Sequence, residues 1–470
     1  MATRDELTEE PTGGPRRPVL PLVAICLGYF MVILDVTVVT VAVPVIGTAL
    51  HTSVTGLQWV VDGYSMVFAG LLLFCGGLGD KLGSKPVFLA GLLVFTLASA
   101  GCGAAPNVWG LILARLIQGV GAALMVPASL ALLKSSYPDK AARARAFGVW
   151  GAVSGLAAGA GPVVGGVLVA GFGWRSVFLV NIAVGAVAIT LTARYVPATR
   201  TARSTARPGL DVPAQAAMAV GLTGLTGGLI EAGALHWTHP VVLGAFAVSV
   251  TGGLAFVLLE RRSAAPMLPL SLFRGRDFTA SVVIGVLLNI GFYGLLFLAP
   301  LYFQRVHHYS ALRTGFALLP LVGVVALSSA VAGRITAHTG PRLPMVVGLT
   351  VGAAGLAGWL LAGPHTSYLA LVAPMAAAGF GTAFTMPAST AAVMEAVPDS
   401  RSGAAAAAFN AARQIGSAFG VAVFGTLVAG NFLGGLHMAV SVGAAGFLTA
   451  AVVAALFVRG ASDDDRDKQT

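Results

Sequence analysis

The chain has 470 residues, of which 57% are hydrophobic and only 10% are charged. An ordinary soluble domain carries about 25% charged residues, so this composition excludes a soluble enzyme, a disordered protein and a disulfide scaffold. A membrane-spanning helix needs about 20 apolar residues, and the apolar content is sufficient for roughly 12 to 14 such helices. The composition therefore predicts an all-α polytopic membrane protein.

Fourteen apolar runs follow a polar segment at the start of the chain. The predicted spans cover residues 20–46, 57–78, 86–104, 108–133, 147–170, 174–195, 212–233, 240–260, 279–302, 314–335, 344–362, 368–395, 403–428 and 437–458. The first run is far longer than the core of a cleaved signal peptide, so we expect it to remain as span 1. Residues 1–19 and 459–470 are predicted to be cytoplasmic tails.

Basic residues are distributed asymmetrically between the loops. With fourteen spans both tails lie on one side, and all but five of the 28 lysine and arginine residues fall in the tails and loops of that side. The exceptions are Arg175, Arg305 and Arg313 in the opposite loops, and Arg115 and Arg413 within spans. Basic loops stay in the cytoplasm, so both termini are predicted to be cytoplasmic. Contact with anionic lipid then accounts for the net charge of +10, and no nucleic-acid partner is expected.

The chain also contains an internal repeat. Residues 119–129 read GVGAALMVPAS, and residues 379–389 read GFGTAFTMPAS, at an offset of 260. The dipeptide Pro138-Asp139 recurs at Pro398-Asp399 with the same offset, and a weaker echo pairs Gly76, Gly83 and Lys85 with Gly333, Gly340 and Arg342. Parallel six-helix repeats are one architecture of secondary transporters. We therefore predict a six-helix half at 20–195, two inserted helices at 196–278 and a second half at 279–458.

Four short motifs follow one another along the first half. They are LDVTVVTVAVP at 34–44 in span 1, GGLGDKLGSK at 76–85 after span 2, RLIQGVGA at 115–122 in span 4 and GPVVGG at 161–166 in span 5. With these motifs the chain resembles the major facilitator superfamily, in its fourteen-helix drug:proton antiporter branch, and the antibiotic-resistance exporters of that branch. The resemblance covers the chain apart from its tails. Thr40, Ser84 and Ala157 depart from the usual pattern.

The resemblance implies proton-coupled export of amphipathic drugs or antibiotics across the cytoplasmic membrane, by alternating access between two halves. Such a protein is a secondary transporter rather than an enzyme, is expected to be a monomer, and is driven by the proton gradient without a cofactor or metal. No nucleotide-binding loop in the sequence points to ATP. Transport of lipids or lipid-like metabolites, uptake by symport, and a non-transport role as a sensor or scaffold remain as alternatives.

Asp35, Arg115 and Asp62 are the candidates for proton coupling. Asp35 lies near the middle of span 1, where an ionised carboxylate is costly and an acidic residue is functional by default. Arg115 can reach towards Asp35, but Asp62 in span 2 lies at a similar depth, so two acids compete for one base and the sequence does not assign the pair. The resemblance implies a role for Arg115 in proton coupling, with a static ion pair as the structural alternative.

Span 5 is a candidate gate. At 100° per residue its glycines fall on one half of the helix, so another helix can approach its backbone closely. Gly161, Pro162, Gly165 and Gly166 are the gate residues in this stripe. The resemblance implies a hinge and seal, whereas ordinary close packing is the alternative.

The loop between spans 2 and 3 is a second candidate gate. The resemblance assigns Asp80, Lys81, Gly83 and Lys85 to contacts that hold the cytoplasmic side closed. The alternative is that the lysines only set the orientation of the chain in the membrane.

The substrate cavity is predicted between the halves. Arg413 lies near the middle of span 13, where a lone basic residue needs a partner or a watery cavity, and no acid of the second half is an obvious partner. The residues assigned to the cavity are Asp35, Gln118, Asn289, Tyr293, Asn410, Arg413 and Gln414. The three cysteines, Cys26, Cys75 and Cys102, lie in apolar runs and are interpreted as packing residues.

Overall fold

Long α-helices account for most of the chain, as the apolar composition predicts. The structure is a computed structural model that describes residues 19–137, 139–197, 211–263, 266, 268, 270–397 and 402–459. The helices are α1 (Val19–Ala49), α2 (Val54–Leu82), α3 (Ser84–Ala104), α4 (Val108–Ser136), α5 (Lys140–Phe172), α6 (Ser176–Tyr195), α7 (Val212–Leu235), α8 (Pro240–Arg262), α9 (Arg276–Arg305), α10 (Ala311–Ala317), α11 (Leu319–Val322), α12 (Val324–Thr339), α13 (Arg342–Gly358), α14 (Tyr368–Glu395), α15 (Ser402–Leu427) and α16 (Phe432–Phe457). Short 3₁₀ helices cover Leu270–Arg274 and Trp359–Leu361.

Twelve helical segments of the described chain are long and apolar enough to cross a membrane. One of them is the succession α10–α12, which is interrupted at Leu318 and Gly323, next to Pro320. Two further helices, α2 and α15, are 29 and 26 residues long and pack inside the bundle. If both cross the membrane, the total is the predicted fourteen, which stays a prediction.

Polar side chains cap the first turns of several helices, and the cap of α5 lies outside the predicted span. The Asn107 side chain accepts a hydrogen bond from the Gly110 N–H at 2.9 Å, and Asp139 accepts one from Ala142 at 2.8 Å. A cap satisfies a backbone donor that would otherwise lack a partner. As a result α5 begins at Lys140, seven residues before the apolar run that predicted it.

Small residues bring neighbouring helices into backbone contact. A Cβ atom on Gly121 of α4 would lie 2.6 Å from the Phe95 backbone nitrogen of α3. In the second half, a Cβ atom on Gly381 of α14 would lie 2.5 Å from the Gly352 Cα of α13. Helices in lipid gain little from burying apolar surface, so close packing of this kind holds them together.

Two glycines that the weaker sequence echo pairs, Gly83 and Gly340, share a backbone conformation. Gly83 joins α2 to α3 with φ of 94°, and Gly340 joins α12 to α13 with φ of 74°. Only glycine readily adopts a positive φ of this size, so the sharp turns between these helices require glycine at both positions. The stronger repeat places Pro127 within α4 and Pro387 within α14. Its continuation at Pro138, Pro398 and Asp399 lies outside the described residues.

The segment predicted as an insertion, 196–278, contains α7 and α8. The Trp59 indole of α2 donates to Glu231 of α7 at 2.9 Å, and Thr426 of α15 donates to the Leu229 carbonyl of α7 at 2.7 Å. Helix α7 therefore contacts one helix of each predicted half. Helix α8 packs mainly on α7, where Gly224 lies close to Ser249.

Replacing Gly121 by Val should destabilise the α3–α4 contact, because the new side chain would overlap the Phe95 backbone. Overpacking of this kind lowers the free energy of unfolding by about 1–3 kcal/mol. The matched control is Gly244→Val in α8, where an added Cβ would meet no atom of the described residues within 4 Å. Denaturation of both purified variants would test the comparison, and equal stability would contradict the packing argument.

Candidate functional site

Asp35 lies at the centre of a buried polar network in the first half. Its Oδ2 accepts a hydrogen bond from Arg115 Nη1 in an ion pair that joins α1 to α4. Its Oδ1 accepts hydrogen bonds from Gln118 Nε2 at 2.9 Å and from Asn181 Nδ2 at 3.0 Å. Asp35 is 1% exposed, so these three donors replace the water that an ionised carboxylate would otherwise need.

Arg115 is held on several sides in addition to its contact with Asp35. Its Nε donates to the Val60 carbonyl of α2 at 3.0 Å, and its Nη1 also donates to Gln118 Oε1 at 2.8 Å. The guanidinium carbon lies 4.3 Å from the centre of the Tyr64 ring, in a cation–π contact. The arginine thereby orients α1, α2 and α4 around one point.

Two members of the network, Ser99 and Asn181, were not among the predicted site residues. Ser99 Oγ of α3 accepts a hydrogen bond from Gln118 at 2.9 Å, and Asn181 of α6 is 1% exposed. In the sequence, Asn181 stood out only as a single amide side chain in the apolar first half of span 6. Such side chains in a membrane usually hydrogen-bond to another helix. Ser99 gave no comparable signal among many small residues.

The structure pairs Arg115 with Asp35 rather than with Asp62. Among the described residues neither oxygen of the buried Asp62 side chain has a hydrogen-bond partner. Asp62 lies one helical turn after Gln58, whose side chain donates to the Ala422 carbonyl of α15 at 2.7 Å. Residues four apart share a helix face, so Asp62 faces the second half, whereas the Val60 carbonyl meets Arg115. Depth along the helix, which is all the sequence supplied, does not distinguish these faces.

The predicted cavity residues of the second half lie along the contact between α9 and α15. Arg413 Nη1 donates to Asn410 Oδ1 at 3.3 Å, and Arg413 Nε has no partner among the described residues. Asn289 is buried and donates to the Gly285 carbonyl at 2.7 Å, while Gln414 is partly buried. No described acid lies within ion-pair distance of Arg413, as the sequence indicates.

Aromatic hydroxyl groups lie between the Asp35 network and Arg413. Tyr64 of α2 is an electrostatic neighbour of Asp35 and of Tyr293, and Arg413 is an electrostatic neighbour of Tyr293 and of Tyr29 in α1. Among the described residues the Tyr64 hydroxyl has no hydrogen-bond partner. Tyrosines of both halves therefore lie near the two charged sites, and a phenol ring offers both an apolar face and a polar edge.

The glycine stripe of α5 packs against both halves. A Cβ atom on Gly165 would lie 2.8 Å from the Val38 carbonyl of α1, and one on Gly166 would lie 2.8 Å from the Ala311 carbonyl of α10. Pro162 contributes its carbonyl oxygen, which a Cβ atom on Gly315 of α10 would overlap. Gly161 packs directly on Thr37 of α1. These residues form the tightest contact between α5 and its neighbours.

The same stripe is open towards the start of α5. Among the described residues, a Cβ atom on Gly148 or Gly151 would meet no atom within 4 Å. The stripe therefore packs closely in one half of its length only. Its packed part lies towards the side opposite to the beginning of α1, which we call the far side; the side where α1 begins and α16 ends is the terminus side.

Two side chains that donate hydrogen bonds from one half to the other also lie on the far side. Gln58 donates to Ala422, as described above, and Gln304 of α9 donates to the Val41 carbonyl of α1 at 3.0 Å. Gln58 is near the beginning of α2 and Gln304 is near the end of α9, so both belong to the far side. The two halves are therefore closed against each other there.

The predicted loop gate contributes one observed contact. Lys85 donates from Nζ to the Ala193 carbonyl in the last turn of α6 at 3.0 Å, which places a positive charge at the negative end of that helix. Gly83 forms the turn, and Lys81 is partly exposed. The Asp80 side chain lies outside the described part of the structure, so its role in the gate stays a prediction.

Comparison with known proteins decides the family. The family model described as Major Facilitator Superfamily matches residues 25–421. The chain belongs to the Major Facilitator Superfamily. It is 38% identical to the "Methylenomycin A resistance protein" of Streptomyces coelicolor, over 90% of this chain and 89% of that one. It is 34% identical to the "Tetracenomycin C resistance and export protein" of Streptomyces glaucescens, over 91% of this chain and 80% of that one.

The fold of this superfamily member agrees with a solved structure. A mutant form of the nucleoside transporter NupG superposes with a TM-score of 0.67 at 13% identity, covering 94% of this chain and 100% of that one. The predicted resemblance and the all-α membrane fold class are thereby confirmed, whereas the count of fourteen helices stays a prediction. This member of the superfamily is a multi-pass membrane transporter of a small molecule rather than an enzyme.

Removing Arg115 alone should destabilise the protein strongly. In Arg115→Met the buried Asp35 carboxylate loses its cation, and breaking a buried pair from one side costs about 3–5 kcal/mol. Adding Asp35→Asn should recover part of that loss, because no buried charge is then left without a partner. The measurement is the free energy of unfolding of the purified single and double variants.

The matched control is Arg413→Met. This arginine is not ion-paired with a described acid, so its loss should cost less than the loss of Arg115. If the double variant is no more stable than Arg115→Met, the ion pair does not hold α1 and α4 together in the way the geometry indicates.

Proposed function

We propose that this transporter exports amphipathic, drug-like antibiotics across the inner membrane in exchange for protons. The buried contact between Asp35 and Arg115 supports this proposal most directly. Both relatives are named as resistance proteins, and the Streptomyces glaucescens relative is also named as an export protein. The protein would act as a monomer, and the proton gradient would drive it without a cofactor.

Protonation of Asp35 would change the network in a defined way. A neutral carboxyl group no longer attracts the Arg115 guanidinium as an ion partner, although Gln118 and Asn181 still donate to it. Arg115 would keep its hydrogen bonds to the Val60 carbonyl and to Gln118 Oε1. Protonation of Asp35 would therefore weaken the link between α1 and α4, while Arg115 kept two of its hydrogen bonds.

The residues assigned to a cavity between the halves have a chemistry that would complement an amphipathic ligand. Tyr293 offers an aromatic ring, and Arg413 offers a cation whose Nε has no partner among the described residues. Asp62 supplies a buried carboxylate on the face of α2 that meets α15. A substrate with an apolar ring system and one or two polar groups would match these surfaces.

The distribution of contacts supports an inward-facing state. The basic loops predict that the terminus side is cytoplasmic. The two halves are hydrogen-bonded on the far side, and the glycine stripe of α5 is packed there but open at Gly148 and Gly151. Export would then require the far-side contacts to open while the open part of the stripe closes.

Other functions receive less support. Lipid movement and uptake by symport use the same fold, but the named relatives are resistance and export proteins. A sensor or scaffold would not need a carboxylate paired with an arginine in the middle of the bundle.

The first test uses the purified protein in liposomes with a pH-sensitive dye inside. Under a pH gradient, addition of an exported antibiotic should trigger proton flux in the wild type. In Asp35→Asn the flux should fall to the level of empty liposomes, because Asn cannot carry the proton. Asp62→Asn should retain measurable flux, since Asp62 is outside the Arg115 network.

The matched control is Asp277→Asn. Asp277 accepts a hydrogen bond from the Arg459 backbone at 3.0 Å on the terminus side, far from the Asp35 network. Its variant should transport normally. Full flux in Asp35→Asn would remove Asp35 as the coupling residue, and an absence of flux with every antibiotic in the wild type would overturn drug export.

A second test locks the far side. A Cβ atom on Gly425 would lie 2.7 Å from Gln58 Cγ, so cysteines at these two positions are close enough for a disulfide. In a background without Cys26, Cys75 and Cys102, Gln58→Cys with Gly425→Cys should cross-link on oxidation and stop transport. Reduction should restore it, and each single cysteine should be unaffected by oxidation. Unchanged transport in the cross-linked protein would show that the far side does not need to open.

A further inference from the structure

A cavity outside the proposed transport route lies between the inserted helices and the second half. Its volume is about 390 Å³, within the range of about 300–1,000 Å³ that is typical of small-molecule sites. Met218 and Leu222 of α7, Phe256 of α8, and Ala412 and Ile415 of α15 contribute to its walls. We call this cavity the inserted-helix pocket.

The walls of the inserted-helix pocket are almost entirely apolar. Among the described residues Ser249 is the one lining residue that carries a polar side chain, and none of them lines the pocket with a charged side chain. Gly253 also lines it, and a Cβ atom there would meet no atom of the described residues within 4 Å. The pocket exists because α8 packs on α7 and stands away from α9 and α15.

The pocket lies in the terminus-side half of the bundle. The pocket residues on α8 precede the end of that helix by two to four turns. Leu268 and Phe273, from the connection between α8 and α9, close the end of the pocket on the terminus side. The pocket therefore extends from the level of the lipid head groups towards the middle of the bilayer.

A cluster of four exposed arginines marks the same end of the pocket. Arg261 and Arg262 end α8, and Arg274 and Arg276 flank the beginning of α9. Phe273, in the pocket wall, immediately precedes Arg274. The acids nearby are already engaged, since Glu260 Oε1 accepts a hydrogen bond from the Leu268 N–H at 3.3 Å and Asp277 pairs with Arg459.

We propose that the inserted-helix pocket binds one acyl chain of an anionic phospholipid, whose phosphate lies at the arginine cluster. The apolar walls match a hydrocarbon chain, and the four arginines match a negative head group in the same leaflet. The lipid is a bound component of the bundle rather than a transported substrate. The pocket thus gives α8, which makes few contacts with the rest of the protein, a lipid-mediated contact with α15.

The test reconstitutes the full-length protein in phosphatidylcholine vesicles that contain a small fraction of phosphatidylglycerol. A photoreactive diazirine is placed on the acyl chain of either lipid in separate samples. After illumination, mass spectrometry measures the labelling of the peptides from α7, α8 and α15. The proposal expects phosphatidylglycerol to label the pocket peptides more strongly than phosphatidylcholine.

Two variants fill the pocket and one matched variant does not. Gly253→Leu places a side chain in the open space of the pocket and should lower the labelling of the α15 peptide. Gly244→Leu, on the same helix but outside the pocket and also with no atom within 4 Å, should label like the wild type. Ser249→Leu provides a second filled pocket if Gly253→Leu does not fold.

The contribution of the arginines to head-group binding is tested by removing their charge. Arg274→Gln with Arg276→Gln should lower the preference for phosphatidylglycerol by about fivefold for each arginine. The control, Arg194→Gln with Arg334→Gln, removes two exposed terminus-side arginines elsewhere and should keep the preference. Equal labelling by the two lipids, or full labelling of both pocket-filling variants, would overturn the proposal. Loss of labelling on addition of an exported antibiotic would assign the pocket to substrate instead and would also overturn it.

Discussion

The ion pair between Asp35 and Arg115 is the constraint that organises the first half of the bundle. Two charges that are almost completely removed from solvent need partners for every polar atom, because unpaired charges inside a membrane are costly. The network draws on five helices: α1 and α4 carry the charges, α2 and α6 supply Val60 and Asn181 as direct partners, and α3 supplies Ser99, which accepts a hydrogen bond from Gln118. These helices can take only a small range of rotations if the pair is to remain satisfied. In the proposed coupling step, protonation of Asp35 would weaken this constraint.

The packing of the remaining bundle depends on backbone proximity rather than on hydrophobic burial. The contacts between α3 and α4 and between α13 and α14 both use glycine where a side chain would overlap the neighbouring backbone. In α5, glycines bring the backbone into close contact with neighbouring helices along only part of the helix. The close contact with α1 and α10 on the far side and the open glycines towards the terminus side give one helix both a seal and free space. This unequal packing is what a moving gate requires.

The inserted helices differ from each other in their relation to the core. Glu231 and Leu229 connect α7 to α2 and to α15, so α7 contacts both halves at the far side. Any relative movement of the halves must either carry α7 along or break one of these contacts. Helix α8 lies outside that arrangement, packs mainly on α7 and borders the inserted-helix pocket.

The sequence by itself determined the membrane class, the approximate position of the spans, the family and most of the polar residues that matter. Apolar run length, the placement of basic residues and short motifs are local properties, and each can be interpreted without knowing what a helix touches. Caps such as Asp139 moved the ends of helices, because they act through single side-chain contacts outside the apolar runs.

Only the tertiary structure decided which partner each polar group meets. Asp35 and Asp62 were equal candidates for Arg115 by depth, but they lie on helix faces that meet different neighbours. Asn181 joined the network although no motif marked it, and the role of α7 followed from contacts with residues far away in the chain. The physical reason is the same in each case. Helix rotation and neighbour choice are set by many packing contacts between distant segments, and these leave little trace in the local sequence pattern.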